Sequence, residues 1–161
     1  MILYRVSDKY IKYLGNHDSK VVFNKDESRP YVGVVFSINN LDYYIPLASP
    51  KPKHINMKNT IDFHKIGNGK YGALNLNNMI PVKTTELTEI DIDNESDIQY
   101  RELLYNQFHE LNRMSSLIID KAKKLYTLCT SKKALTPNDM KVKARCCDFK
   151  LLEQKLLDYS P

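Results

Sequence analysis

The chain contains no tryptophan, no apolar run approaching twenty residues, no glycine-rich phosphate loop and only three cysteines. Each shortage excludes something. A membrane span needs about 20 consecutive apolar residues, so no segment is expected to cross a bilayer. Met1-Ile2-Leu3-Tyr4-Arg5 reaches a charge too soon for a signal peptide. A soluble, cytoplasmic chain with no membrane partner is therefore expected. Cys146 and Cys147 are adjacent and Cys129 stands apart. Adjacent cysteines do not close a relaxed disulfide, and no second CxxC or histidine cluster completes a zinc site. Reduced thiols packed beside a helix are expected, with no metal and no other cofactor.

What is present describes one globular domain spanning residues 1–161. Hydrophobic residues make up 42% and charged residues 27%, which argues against global disorder. The net charge of +5 is uneven: residues 1–60 carry +4, residues 61–100 carry −4 and residues 101–161 carry +5. The two basic regions suit a polyanion, whose phosphates would bind with a marked salt dependence. The acidic stretch Glu86–Asp97 reads as a solvated connection before a helix.

Ile2–Val6 reads as a first strand, and Ser7 as the N-cap of a helix over Asp8–Leu14 that Gly15 ends. Asn16–Pro30 is polar and loop-like. Tyr31–Ile38 is a β-branched and aromatic run, Asn39-Asn40 tolerates the positive φ of a tight hairpin, and Leu41–Pro46 is the return strand. A helical turn is predicted near Thr60–Lys65, and short strands at Gly72–Leu76, Met79–Val82 and Thr84–Ile90. From about Ile98 the period becomes helical through Leu104, Phe108, Leu111, Ile118, Ala122 and Leu125, as one helix or as two with a kink near Arg113–Ser116. Thr136–Asp139 interrupts the pattern, and Asp148 caps a last helix over Phe149–Leu157. Short strands followed by helices give an α+β fold in which helices flank an antiparallel, strongly curved sheet.

The chemistry concentrates where the return strand runs into Pro46-Leu47-Ala48-Ser49-Pro50-Lys51-Pro52-Lys53-His54. Metal-free RNA cleavage needs a group to take the 2′-proton, donors for the phosphoryl oxygens and a proton for the leaving 5′-oxygen. Ser49 follows the strand in a turn bounded by Pro50. Lys51 and Lys53 alternate by two, so an extended segment would set both on one side. His54 has the only side chain here whose unperturbed pKa lies near neutrality, which suits acid–base work. A second cluster, Lys25, Arg29 and Tyr31, precedes the hairpin: Arg29 suits a bidentate phosphate contact, and Tyr31 suits base stacking or hydroxyl donation. The hairpin brings position 31 near positions 46–49, so the clusters converge. The same residues also fit a non-catalytic RNA-binding module, and a protein-interaction domain with an incidental basic surface is a third reading.

Beyond these clusters the sequence resembles the ToxN/AbiQ family, the endoribonuclease toxins of type III toxin–antitoxin systems. The likeness runs from Tyr4 and Ser7-Asp8-Lys9-Tyr10 through Arg29-Pro30-Tyr31-Val32-Gly33 and Tyr44-Ile45-Pro46-Leu47-Ala48-Ser49-Pro50-Lys51. It continues through Leu74-Asn75-Leu76 and Met79-Ile80-Pro81-Val82 to Cys147-Asp148-Phe149 and Leu152-Glu153-Gln154-Lys155. The resemblance implies a compact, twisted antiparallel sheet related to the MazF/Kid-type toxins. It implies metal-independent RNA cleavage leaving a 2′,3′-cyclic phosphate and a 5′-hydroxyl, directed at cellular or phage RNA in abortive infection. It also implies an antitoxin RNA of tandem repeats, processed by the toxin into inhibitory pseudoknots held in a closed multimer. Ser49 and Lys51 match the family's active-site serine and lysine, Arg29 its basic residue and Tyr31 its aromatic one. Ala48 departs from the hydroxyl residue common before the serine, with Tyr44 or His54 as candidate replacement donors. Lys53, Lys121 and Lys124 join Lys25 as candidate RNA contacts, alongside Lys123, Lys132, Lys133, Lys141, Lys143 and Arg145.

Overall fold

The computed structural model describes all residues, 1–161, and its organising element is one long strand. β4 (Leu41–Ala48) is central because each half pairs on both edges. Its first half lies between β3 (Ser37–Ile38) and β7 (Ile80–Pro81), and its second between β2 (Tyr31–Gly33) and β6 (Ala73–Leu74). β1 (Ile2–Val6) continues the sheet beyond β2, β8 (Leu87–Glu89) closes that edge, and β5 (His64–Lys65) closes the other. All pairings are antiparallel. The fold is α+β, as the sequence indicated.

The hairpin between β3 and β4 turns at Asn39 and Asn40, with φ of 49° and 61°. That positive-φ pair fits the right-handed twist of the strands it joins. The predicted run Tyr31–Ile38 is interrupted at residues 34–36, although Val35 and Phe36 still exchange backbone bonds with Tyr43. The predicted helical turn near Thr60–Lys65 is absent: Thr60 bridges Phe63, and His64–Lys65 is strand. A helix forms earlier instead, at α2 (Pro52–Asn56), where Pro52 sits in the first turn and its fixed φ suits a helix start. Lys51 is the extended residue before α2 and Lys53 lies within it, so the two do not alternate along one strand.

The remaining helices begin at their caps. α1 (Asp8–Gly15) starts where the Ser7 hydroxyl accepts from Tyr10 N, and α3 (Ile98–Arg113) where Asp97 accepts from Tyr100 N. α4 (Ser115–Thr130) follows directly, because Met114 at φ −107°, ψ 21° breaks the helical path at the predicted kink. The Thr136–Asp139 stretch does not merely interrupt: Thr136 and Asp139 form a reciprocal capping box that opens α5 (Pro137–Arg145), a helix absent from the sequence-based expectation. Asp148 caps α6 (Phe149–Asp158) through Leu151 N. No helix is long and apolar enough to cross a membrane. Cys129, Cys146 and Cys147 are free and buried.

α4 and α6 cover one face of the sheet through an aromatic cluster. Tyr43 stacks on Phe36 at 4.7 Å and meets Tyr126 and Phe149 edge-on at 5.6 and 6.0 Å. The buried Glu153 carboxylate accepts from Tyr43 at 2.9 Å and Tyr126 at 2.6 Å, while Lys150 caps its other oxygen at 2.9 Å. Burial and the neighbouring carboxylate raise both tyrosine pKa values, so the hydroxyls remain donors. Glu153→Leu would strand two buried hydroxyls. It is expected to lower unfolding stability by roughly 2–4 kcal/mol, against about 1 kcal/mol for Tyr43→Phe, measured as urea midpoints.

Candidate active site on the Ser49–Lys51 turn

β4 delivers Ser49, and its register is pinned from both sides by the pairs Tyr31↔Pro46 and Ala48↔Ala73. Two glycines press against the segment that follows. Gly72, at φ +93°, lies so close to the Ala48 carbonyl that any Cβ would run into it. Gly69, also at φ +93°, approaches the backbone of His54 in the same way. Both requirements, left-handed φ and close backbone approach, are met only by glycine.

Arg29 holds the neighbouring loop to this turn. Its Nε donates to the Phe23 carbonyl at 2.8 Å and its Nη1 to the Leu47 carbonyl at 2.9 Å. Nη2 makes no hydrogen bond within the protein and remains available to an anion. Burial lowers the Arg29 pKa, yet a guanidinium keeps its charge. Lys25, Asp26 and Glu27 all have left-handed backbones, an arrangement costly for non-glycine residues. Asp8 N donates to Glu27 Oε1 at 2.8 Å and Glu27 N to Asp8 Oδ1 at 3.2 Å, which ties the loop to the start of α1.

Two depressions flank the turn. Ser49, Lys25 and Arg29 line a small cleft of about 140 Å³, whose other walls include Leu47, Leu103 and Gln107. Ala48, Lys51, Lys53 and His54 line a broader groove of about 540 Å³, completed by Lys58 and Arg145 among others. Residues 48–51 form the ridge between them. Arg145 forks onto the buried Asp62 with contacts of 2.9 and 3.2 Å. Burial favours the neutral form of Asp62, but hydrogen bonds from Arg145 and Thr60 outweigh it and hold the pKa low. Lys51, Lys53 and Lys58 are exposed and form no ion pair, so the groove is cationic. His54 is 3% exposed with Nδ1 unpartnered. Burial, then Lys53 and Lys51, lowers its pKa and keeps the imidazole neutral at neutral pH.

Thus Ser49, Lys25 and Arg29 come together on one side of the ridge, and Lys51, Lys53 and His54 on the other. Three expectations change. Tyr31 is 0% exposed and its hydroxyl has no partner, so its ring is core and offers no face to a base. Tyr44 is 2% exposed, meets Tyr4 edge-on at 5.6 Å and lines neither depression, and burial raises its pKa to about 12. Lys121 turns inward, donating to the Phe63 carbonyl at 3.2 Å and contacting His64 Nδ1 at 3.0 Å. Burial, with Lys121 and Lys65 nearby, pushes the His64 pKa down to about 4, so its nitrogen accepts from Lys121. Lys124 is exposed on α4.

Sequence reasoning missed Tyr100, Leu103 and Gln107, which face the cleft from α3. Their spacing of three and four residues was the available signal, set beside the core stripe through Leu104 and Leu111. It also missed Asn75, Asn77 and Asn78, which line the groove. No group of three His, Cys, Asp or Glu side chains is placed to hold a metal ion.

An α+β domain that carries a serine, an arginine and unpaired lysines around one rigid turn has the makings of a protein acting on a phosphate polymer. The chain belongs to the ToxN family of toxins of type III toxin–antitoxin systems, whose model matches residues 2–157. It is 39% identical over 158 residues to the endoribonuclease ToxN of Bacillus thuringiensis subsp. kurstaki, covering 96% of this chain and 81% of that protein. The endoribonuclease AbiQ of Lactococcus lactis subsp. lactis is 32% identical over 168 residues, covering 98% and 88%. Among solved structures, a type III toxin selectively inhibited by a non-coding RNA pseudoknot superposes with a TM-score of 0.88 at 37% identity, covering 98% of this chain and 96% of that one. AbiQ, a lactococcal anti-phage endoribonuclease, superposes with a TM-score of 0.81 at 29% identity, covering 98% and 96%.

Gly72→Ala tests the support of the turn. The added Cβ meets the Ala48 carbonyl in an unfavourable backbone region. We expect a loss of about 1–3 kcal/mol in thermal unfolding, with amide shifts concentrated at residues 48–54.

Proposed function

We propose that this chain, an endoribonuclease toxin of a type III toxin–antitoxin system, cleaves RNA without a metal ion at the Ser49–Lys51 ridge. The observation that carries the reading is the placement of Ser49 beside Arg29 in the cleft and of Lys51 beside His54 in the groove, across a single turn. A phosphodiester crossing the ridge meets donors from both sides. The ribose 2′-oxygen attacks phosphorus, forming the O2′–P bond, and the P–O5′ bond breaks as the departing 5′-oxygen takes a proton from the Lys51 ammonium. The products are a 2′,3′-cyclic phosphate and a 5′-hydroxyl.

Lys51 and the available Arg29 Nη2 stabilise the charge that grows on the phosphoryl oxygens, and the Ser49 hydroxyl donates to one of them. Of the two candidates for the role left open by Ala48, His54 shares the groove with Ala48 and Lys51, whereas Tyr44 lies outside it. His54, neutral and part of the groove lining, takes the 2′-proton. The cationic groove, with Lys124 on α4, grips RNA more broadly. In this reading the toxin processes its own repeat RNA, and the resulting pseudoknots occupy the groove within a closed multimer. The relatives support this part, since RNA pseudoknots inhibit one of the superposed toxins and a processed non-coding RNA regulates another system.

Three measurements test the reading. RNA incubated with RNA-free protein in excess EDTA should yield cyclic-phosphate and 5′-hydroxyl ends; intact RNA would leave a phosphate-gripping module instead. Ser49→Ala and Lys51→Ala should each lower cleavage at least about a hundredfold while the protein keeps its unfolding midpoint. His54 must be unprotonated to act, so wild-type activity should fall on acidification through a pKa below the ordinary value of about 6.5. That acid limb should vanish in His54→Gln, and its persistence there would move the proton transfer elsewhere.

A further inference from the structure

Four of the phenylalanines are buried or half-buried, whereas Phe23 is 69% exposed, more than any other large apolar side chain of the fold. Scattered apolar residues on a surface need no explanation of their own. What sets Phe23 apart is how its backbone is held. Its carbonyl accepts from Arg29 Nε at 2.8 Å, and the next carbonyl, that of Asn24, accepts from Arg29 N at 3.2 Å. Asn24 is itself anchored, its Nδ2 donating to the Val6 carbonyl and to Asp8 Oδ1, both at 2.8 Å. The ring therefore stands in solvent from a fixed point of the chain.

The surroundings indicate what covers such a ring. Residues 24–29 close into a turn with the left-handed Lys25, Asp26 and Glu27 at its tip, while Phe23 and Arg29 meet at its neck. Glu27 is turned toward the start of α1. At the neck Arg29 keeps Nη2 for an anion, and the exposed Lys20 and Lys25, within three residues of Phe23, form no ion pair. An apolar protein partner would have to desolvate three neighbouring cations. A single strand of RNA offers both parts the neck asks for, a phosphate for the guanidinium and an unpaired base for the aromatic face. The stacking role expected of Tyr31 is vacant, because that ring is buried. Phe23, bonded to the same arginine, offers the open face that Tyr31 lacks.

We propose that Phe23 is an RNA-binding residue of the site, a platform on which one unpaired base stacks while Arg29 holds a neighbouring phosphate. The inference rests on the reading that Arg29 grips RNA phosphate at the ridge. Stacking asks only for a π-face, so the platform adds affinity without choosing among the four bases. Paired bases are already stacked within their duplex, so the platform favours single strands.

The test has two arms. Phe23→Trp gives the chain its only tryptophan, a fluorescent reporter at the platform itself. The probe is a mixed-sequence single strand of 2′-fluoro RNA, which has no 2′-hydroxyl to attack phosphorus and so stays intact. Adding it should quench the tryptophan, while inorganic polyphosphate at equal phosphate concentration should not. In the second arm, Phe23→Leu should raise KM for single-stranded RNA about tenfold, with a smaller effect on kcat, and Phe23→Tyr should restore KM. The unfolding midpoint should hold in every variant, because the ring is exposed. Absent quenching, equal quenching by polyphosphate, or an unchanged KM in Phe23→Leu overturns the proposal. A changed oligomeric state in Phe23→Leu overturns it too, since the ring would then be a protein contact. If wild type leaves RNA intact in EDTA, the nuclease reading falls, and the quenching arm alone decides the platform.

Discussion

The site depends on the pairing of β4 along both edges. A strand with one free edge can slip by a residue, and each slip exchanges the two faces of the sheet. β4 cannot slip, because β3 and β7 hold its start while β2 and β6 hold its end. Ser49 therefore leaves the strand at a fixed place. Arg29 reads the same register, since its guanidinium bonds the carbonyl of Leu47. Displacing β4 would move the serine away from the arginine beside it.

Polar groups in the interior divide by whether the protein satisfies them. Tyr43 and Tyr126 converge on Glu153, a network in which every buried group has its partner, and this region acts as structural anchor. Nearer the ridge the pattern changes. His54 Nδ1, Tyr31 Oη and Gln107 Oε1 are all buried and unpartnered. Asn24 Oδ1 and Tyr159 Oη, the latter directly after α6, are unpartnered as well, so such groups are not confined to the turn.

Local features were legible in the sequence. The asparagine pair of the hairpin, the serine and aspartate caps and the break near Met114 each follow from a few adjacent residues. Two- and three-residue strands were harder to bound, because β6 and β7 exist through their pairing with β4 rather than through intrinsic preference. Thr136-Pro137-Asn138-Asp139 has the composition of a break and the geometry of a helix start, and only the reciprocal bonds decide. At the site, Ser49, Lys51 and Arg29 could be named from sequence because turn and hairpin bring them together. Tyr31 and Tyr44 misled, since a tyrosine in a strand reads alike whether it faces solvent or core. The walls supplied by Tyr100 and Gln107 arrive from more than fifty positions away along the chain, and nothing local in the sequence ties them to Ser49.

The ridge at residues 48–51 also separates what lies on its two sides. On the proposed reading, strand scission leaves one RNA end beside the apolar walls of Leu47 and Leu103 and the other among Lys51, Lys53 and Lys58. The first end meets those walls together with Lys25 and Arg29, the second a denser set of unpaired lysines. Added salt then hastens both departures, and that of the fragment on the lysine side more. An RNA threaded along the lysine side would persist after cutting, so that the same surface serves both turnover and capture.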